Sequence, residues 1–420
     1  MTRISHPLLA VLAAYAALSL PAAAVARAQD APTVIRTSSA LDGRGKTLTS
    51  MDIVVENGKI ARIVASGTGP ANGRVIDLRG RTVLPGFIDA HAHLTWYFNR
   101  QGRYHTGGPN GDGDTPMQSI LAAAANAYTT LMAGFTTIQS PGSNEDKDLR
   151  EWIGTQGLAG PRILTSLAPL NGGDPDTLRS RVRQRKLAGA DLIKIFASAS
   201  IRDGGKQSMT DAQIQAACGE AKAQGLRTIV HAHSAESVTA VVNAGCNQVE
   251  HGIFVTQKEL DLMAQKGVYF DPQCSLVFHN YLDNRAKYDG IGNYNEAGFA
   301  AMERAIPLAA DDIRKAIATP KLKVLYGTDA VAGAHGHNAE DMICRVKDAG
   351  ESPMHVVISA TSLNAEALGL GDTIGALAPG MEADIIALDG NPLKDITAVR
   401  RVSFVMKGGK VFRDDGARKQ

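Results

Sequence analysis

The chain has 420 residues, of which 44% are hydrophobic and 20% are charged, and these values are typical of a soluble globular protein with a large core. The formal net charge of +2 gives no reason to expect nucleic acid or an anionic membrane as a partner. Aromatic residues make up only 5%, too few to favour a surface that stacks on bases.

The first 28 residues have the pattern of an export signal. Arg3 supplies a positive charge, residues 8–20 form an apolar run rich in Ala and Leu, and Ala26-Arg27-Ala28 provides a small-x-small cleavage site. The apolar run is short for a membrane span. We therefore expect cleavage after Ala28 and a secreted or periplasmic mature protein that has no membrane anchor.

Short β-like runs separated by turns occupy residues 31–80, and the same pattern occurs again at residues 383–388 and 402–412. Two β-rich segments that bracket a different interior predict one small β-sandwich module, built from residues 29–82 and 376–420. This module would be formed by both ends of the mature chain.

Apolar strands alternate with Ala-rich helical stretches between residues 83 and 375. The eight predicted strands lie at 83–88, 134–138, 162–166, 192–197, 228–231, 248–250, 268–270 and 324–326. Such alternation is typical of a (β/α)8 barrel, so the predicted class is α/β. An open doubly wound sheet is the alternative, but no glycine-rich dinucleotide motif follows an early strand. The long segment 273–319, which contains three tyrosines, is predicted to cover or line the pocket.

The cysteines are Cys218, Cys246, Cys274 and Cys344, and all four lie in the mature chain. An oxidising compartment permits disulfides, but this wide spacing is neither a small disulfide scaffold nor a zinc-finger pattern. We predict buried free thiols.

The first barrel strand ends in Ala90-His91-Ala92-His93. Successive side chains of a strand point to opposite faces, so His91 and His93 share one face. Two imidazoles that converge at the end of a strand can begin a transition-metal site. An isolated pair of this kind also occurs by chance, so the interpretation depends on further ligands downstream.

Barrel enzymes carry their chemistry at the carboxyl ends of the strands. Lys194 lies in the fourth strand on the face opposite its apolar neighbours, which places it inside the barrel. A buried lysine is paired to a carboxylate, deprotonated or modified. The functional alternative is a neutral amine that captures carbon dioxide as a carbamate able to bridge two metal ions.

Three further strand ends carry polar groups of the same kind. They read His231-Ala232-His233, Glu250-His251 and Thr328-Asp329. Each has an ordinary explanation, such as a capping Asp or a hydrogen-bonded His. Their occurrence at successive strand ends makes chance a poor explanation for the set.

These residues resemble the amidohydrolase superfamily, most closely its imidazolonepropionase-like and Xaa-Pro dipeptidase-like members, a group that also contains ochratoxin-hydrolysing amidases. The resemblance covers essentially the whole mature chain, including Gly380-Met381-Glu382-Ala383-Asp384, which looks like the family's return from barrel to sandwich. It implies a metal-dependent hydrolase of C–N (amide or peptide) bonds that holds two divalent metal ions, with zinc as the expected metal. It also implies a small-molecule substrate and a homo-oligomer.

Carried over residue by residue, the resemblance implies His91 and His93 on one metal and carbamylated Lys194 as the bridge. It implies His231 and His251 on the second metal, and His231 is preferred to His233 because it precedes His251 by 20 residues.

The resemblance assigns the remaining roles to three residues. Asp329 would be both a metal ligand and the catalytic base. His233 would face the substrate and polarise its carbonyl group. His335 resembles a family position near the substrate, and a histidine on a mobile loop is the alternative.

The implied reaction is hydrolysis of an amide bond that releases an amino acid from a dipeptide or an N-acyl amino acid, with ochratoxin A as one candidate. The first alternative is a mononuclear zinc deaminase of a heterocyclic base, because His233-Ser234-Ala235-Glu236 has the His-x-x-Glu form that deaminases use. Lys194 would have no role in such a one-metal site. The second alternative is an inactive periplasmic binding protein, which the retention of all six candidate ligands disfavours.

Overall fold

A computed structural model describes residues 31–106 and 114–416. The predicted export signal, residues 1–28, lies outside the described residues. Within these two ranges, no helix has both the length and the apolar character needed to cross a bilayer.

Strands and helices alternate through the interior of the described chain. The strands are β1 (Thr33–Leu41), β2 (Thr47–Glu56), β3 (Lys59–Ala65), β4 (Arg74–Asp77), β5 (Thr82–Pro85), β6 (Phe87–Asp89), β7 (Tyr97–Phe98), β8 (Tyr104–His105), β9 (Phe135–Ser140), β10 (Arg162–Thr165), β11 (Leu192–Phe196), β12 (Arg227–Ser234), β13 (Gln248–Phe254), β14 (Tyr269–Asp271), β15 (Ile385–Leu388), β16 (Val402–Lys407) and β17 (Lys410–Asp414). The α-helices are α1 (Pro116–Met132), α2 (Glu145–Thr155), α3 (Pro175–Leu187), α4 (Asp211–Ala223), α5 (Ala235–Asn243), α6 (Gln257–Lys266), α7 (Leu276–Asp283), α8 (Arg285–Tyr288), α9 (Glu296–Ala318), α10 (Glu340–Lys347), α11 (Pro353–Ile358) and α12 (Asn364–Ala367). The predicted α/β class is confirmed.

Both ends of the described chain pair in one eight-stranded sheet. Its order is β17-β16-β15-β5-β1-β2-β3, and β4 pairs with β1. β5 joins the two ends, since it runs parallel to β1 and antiparallel to β15. Apolar side chains from both ends, such as Ile35, Ile53, Ile385 and Phe404, share one buried cluster. The hydrophobic effect therefore holds the two ends of the chain together.

The predicted first barrel strand, residues 83–88, is two strands in the structure. Thr82–Pro85 belongs to the sheet of the chain ends, whereas Phe87–Asp89 pairs with β9. The chain turns at Gly86, whose N–H donates to the carbonyl of Asp384 over 2.9 Å. A Cβ atom here would lie 2.1 Å from Oγ1 of Thr136, so only glycine permits this close approach.

The interior contains two parallel sheets, ordered β10-β9-β6 and β11-β12-β13-β14. Isolated bridges join their outer parts, namely Leu170 with Ile195, Phe270 with Val324 and Ala92 with Ala330. The predicted eighth strand, 324–326, is therefore a bridged segment rather than a full strand. Its Tyr326 carbonyl accepts the N–H of Ala90 over 3.0 Å, which sets this segment beside the end of β6.

Several helices begin at capping residues close to the strand ends. Thr115 and Gln118 form a capping box at α1, and Thr210 and Gln213 form another at α4. Asp174 caps α3 and is followed by a proline at the first helical position. These caps fix where each loop returns to a helix, and so they limit the freedom of the loops that carry the site.

The prediction of free thiols is wrong, because the four cysteines form two disulfides. Cys218 pairs with Cys246 and Cys274 pairs with Cys344, with Cα atoms 5.3 and 6.1 Å apart. The partners are 28 and 70 residues apart in sequence. Sequence spacing gave no sign of the pairing because tertiary packing, rather than local structure, brings these positions together.

Candidate active site

One cavity at the carboxyl ends of the parallel strands is lined by every predicted metal ligand. These residues are His91, His93, Lys194, His231, His251 and Asp329. His233 lines the same cavity. Both His-x-His pairs therefore face one space, as strand alternation predicts.

Asp329 lies close to the first histidine pair. Its Oδ1 is 3.1 Å from Nε2 of His93 and 3.5 Å from Nε2 of His91. Nζ of Lys194 is 3.1 Å from the same His91 nitrogen. Nitrogen and oxygen donors at this spacing form a group that could hold a metal ion.

A second group of rings lies next to the first. The ring centroids of His231 and His251 are 4.5 Å apart, and those of His233 and His251 are 4.9 Å apart. His91 connects the two groups, since its centroid is 5.3 Å from that of His251. Both His231 and His233 are adjacent to His251, so the preference for His231 as a ligand stays a prediction.

Burial keeps the imidazoles of the cavity neutral. It lowers the pKa of His91, His231 and His251 well below the usual value. Burial lowers the pKa of His233 to about 3. Neutral imidazole is the form that binds a metal ion. Burial also lowers the pKa of Lys194, which favours the free amine.

The carboxyl group of Asp329 is ionised, in contrast to the neutral imidazoles. Burial raises its pKa, but the nearby His91 and His93 outweigh this effect and the resulting pKa is below the usual value. The residue has a φ of 51°, and His251 has a φ of 71°. Such values are uncommon for residues other than glycine and cluster at functional sites. The backbone is thus shaped to present these two side chains.

Sequence reasoning missed the polar groups that support the ligands. Oε2 of Glu250 lies 2.6 Å from Nδ1 of His91, and Oε1 of Gln273 lies 2.6 Å from Nδ1 of His251. Burial raises the pKa of Glu250 to about 8 and that of Asp271 well above its usual value. Partners on the second ring nitrogen orient a metal-binding histidine. The sequence signal that could have identified Glu250 is its position directly before His251.

Aromatic side chains form much of the remaining wall. The ring of Trp96 stacks on that of His93 with centroids 3.8 Å apart. Tyr281 and Tyr294, from the long segment predicted to line the pocket, are part of the lining. Tyr288 lies behind them, and its hydroxyl donates to the carbonyl of Ala332 over 2.7 Å.

Arg202 also lines the cavity, and the sequence analysis did not identify it. It belongs to the short helical turn Ile201–Asp203 that follows β11. Its neighbours are chain segments about 90 residues away, so no local sequence signal marks it.

Two residues considered in the sequence analysis are not part of the lining. His335 is buried with Nε2 3.2 Å from the carbonyl oxygen of Trp96 and is not part of the lining, so its position near the substrate stays a prediction. Glu236, the acid of the deaminase-like motif, is exposed and lines a separate surface groove. Its position at the start of α5 turns it away from the strand ends.

The family model described as "Amidohydrolase family" matches residues 82–412. An ochratoxinase from Aspergillus niger is 23% identical over 432 residues, covering 91% of this chain and 87% of that protein. An imidazolonepropionase from Rhodococcus jostii is 25% identical over 394 residues, covering 86% of this chain and 88% of that protein. A solved structure of a Xaa-Pro dipeptidase with bound methionine in its active site has a TM-score of 0.81 and 28% identity, covering 91% of this chain and 100% of that one.

The relatives are hydrolases that act on C–N bonds, and the predicted enzyme class is confirmed at that level. The match spans the strand ends that carry the histidines, the lysine and the aspartate. The chain belongs to the amidohydrolase family.

Proposed function

We propose that the protein is a binuclear metal-dependent amidohydrolase that cleaves an amide bond and releases an amino acid. Its substrates would be dipeptides or N-acyl amino acids, and ochratoxin A is one candidate. The observation that carries the proposal is the convergence of all six donor side chains on one cavity. The similarity to an ochratoxinase and to a Xaa-Pro dipeptidase supports the substrate class.

The proposed scaffold is a (β/α)8 barrel. It would comprise β6, β9 to β14 and the bridged segment 324–326. The links between the two parallel sheets support this arrangement, which is the one that gathers strand ends around a single site.

The donor set fits two divalent cations such as zinc, which binds imidazole nitrogen and carboxylate oxygen. Lys194 is 1% exposed, and its Nζ contacts Nε2 of His91 rather than a carboxylate. A lysine without an ion-pair partner among the described residues favours the carbamate over the simple ion pair. As a carbamate, the side chain would contribute two oxygen ligands in place of a cation.

The residues of the chain would act as follows. When bound, the cations lower the pKa of water and polarise the substrate carbonyl. Asp329 accepts the proton of the attacking water and delivers it to the leaving nitrogen. His233 is neutral, and its Nδ1 is buried without a hydrogen-bond partner among the described residues. It can therefore donate a ring N–H to the developing oxyanion.

The geometry argues against the deaminase alternative. A deaminase of this type needs the acid of its His-x-x-Glu motif beside the substrate. Glu236 instead lies outside the cavity, while Lys194 lies inside it. Both placements favour a site for two metal ions.

Export of the mature chain is part of the proposal. Two disulfides support it, since such bonds persist in the periplasm and outside the cell and are rare in the cytosol. The small-x-small sequence before Gln29 supports cleavage at that point.

The testing experiment offers N-acyl amino acids, dipeptides, aminopurines and pyrimidines to the zinc-loaded protein and follows the products by mass spectrometry. We expect release of amino acids and two metal ions per chain by elemental analysis. Release of ammonia from the heterocycles without cleavage of the amides would assign the deaminase reaction instead. Absence of bound metal would contradict both.

A further inference from the structure

Arg202 is a cation in the wall of the cavity that the metal ligands also line. Its guanidinium carbon lies 4.0 Å from the ring centroid of Tyr294 and 5.5 Å from that of Tyr281. Its Nε donates to Oδ1 of Asn293 over 2.7 Å. Two aromatic rings and an amide therefore hold the side chain in one position.

No carboxylate pairs with Arg202 within the part of the chain that the structure describes. Arg345, which is fully buried, contrasts with the half-buried Arg202, because it forms an ion pair with Glu351 at 2.6 Å. A guanidinium removed from water is costly unless an anion compensates it. The remaining N–H groups of Arg202 are thus available to a ligand in the cavity.

A guanidinium presents its donors in a planar fork that matches the two oxygens of a carboxylate. The guanidinium lies over the ring of Tyr294, and its two Nη groups have no hydrogen-bond partner among the described residues. The rest of the lining consists of histidines, aromatic and aliphatic side chains, Ser200, Lys194 and Asp329. In the proposed function Lys194 is a carbamate and Asp329 a metal ligand, which leaves Arg202 as the cation of the lining. A substrate with one carboxylate would therefore find its complementary charge at Arg202.

We propose that Arg202 binds the α-carboxylate of the amino acid that is released, and that the substrates are amides with a free carboxylate on the amine side. This inference rests on the proposed amide hydrolysis and gives it a substrate class. Arg202 would act as a specificity-determining residue, since its contact to the carboxylate positions the scissile amide.

The kinetic test uses matched pairs in which an N-acyl-L-amino acid is compared with the same compound bearing a primary carboxamide in place of the carboxylate. We expect Arg202→Gln to lower kcat/KM for the carboxylate member by about 10²-fold or more, since loss of one partner of a buried charge pair has effects of this size. The carboxamide member should change little. Arg202→Lys should have a kcat/KM for the carboxylate member between those of the wild type and Arg202→Gln, because lysine keeps the positive charge but lacks the planar pair of donors.

Arg285→Gln is the matched control. The guanidinium of Arg285 also lies over an aromatic ring, that of Phe299, with Cζ 4.6 Å from the centroid, and it pairs with Glu296 outside the lining of the cavity. We expect it to leave both members of each pair unchanged. An equal loss for both members in Arg202→Gln, or no loss for either, would overturn the inference.

A binding measurement separates this inference from the proposed reaction. In an Asp329→Asn background, calorimetry should show the carboxylate compound binding at least 10-fold more weakly once Arg202→Gln is added, and the carboxamide compound binding equally. If the wild-type protein hydrolyses none of the amides, the proposed reaction fails while this difference still supports a carboxylate site. Hydrolysis of amides without a carboxylate preference would keep the reaction and overturn the role of Arg202.

Discussion

Reduction of the Cys274–Cys344 bond should affect both stability and metal binding. Cys274 directly follows Gln273, whose Oε1 contacts Nδ1 of His251 at 2.6 Å. Asp341 on α10 accepts the backbone N–H of Cys274 over 2.8 Å. The disulfide and this hydrogen bond therefore hold the segment from which the ring of His251, a proposed metal ligand, is oriented.

The size of the stability effect follows from the separation of the partners. Replacement of Cys274 and Cys344 by alanine opens a loop of 70 residues, for which the chain-entropy model gives a loss of about 4.4 kcal/mol. The Cys218–Cys246 bond spans 28 residues, and the same model gives about 3.6 kcal/mol. The second pair joins α4 to the turn after α5 and provides a matched control.

Urea unfolding in the presence of a chelator would measure the two stability losses without a contribution from metal binding. Competition with a chromophoric chelator would measure metal affinity. We expect both double variants to lose stability, and only Cys274→Ala/Cys344→Ala to bind metal about 10-fold or more weakly, because only it frees the partner of a ligand. Equal metal affinity in the two variants would refute the coupling, and a loss below about 1 kcal/mol would refute the entropic argument.

Further predictions concern the reaction centre and processing. Lys194→Ala should lose most metal and activity, with partial rescue by short-chain carboxylic acids; full metal occupancy by elemental analysis would contradict the bridge. Asp329→Asn should stay folded by circular dichroism and lower kcat by about 10²-fold or more, because the proton acceptor is lost. His233→Ala should lower kcat less, and a loss of metal in this variant would make His233 the ligand. Protein from the native host should have an intact mass that starts near Gln29, and a retained Met1 would exclude cleavage.

The candidate ligands could be identified from the sequence because strand alternation is a local rule. It places His91 with His93, and His231 with His233, whatever the rest of the fold does. Burial of Lys194 followed from its apolar neighbours in the same way. Local periodicity therefore predicted which side chains meet at the strand ends.

Other features depend on contacts between distant segments and were not accessible. Arg202 is held by Asn293, 91 residues further along the chain. The disulfides join helices and loops whose packing no local pattern records. The strand is interrupted at Gly86 because Thr136 approaches the backbone there. The sequence around Gly86 is a continuous apolar run, so it predicts a single strand.

Glu250 and His251 show how the site departs from the rule that otherwise predicts it. In a regular strand these neighbours would point to opposite faces. Both contact the same cluster, since Glu250 lies 2.6 Å from His91 and the ring of His251 lies 4.5 Å from that of His231. The left-handed backbone of His251, with a φ of 71°, and the register shift between β12 and β13 permit this. Such a backbone conformation costs about 1–3 kcal/mol. It is retained here because it turns His251, a proposed ligand, and Glu250, whose carboxylate contacts the proposed ligand His91, toward one site.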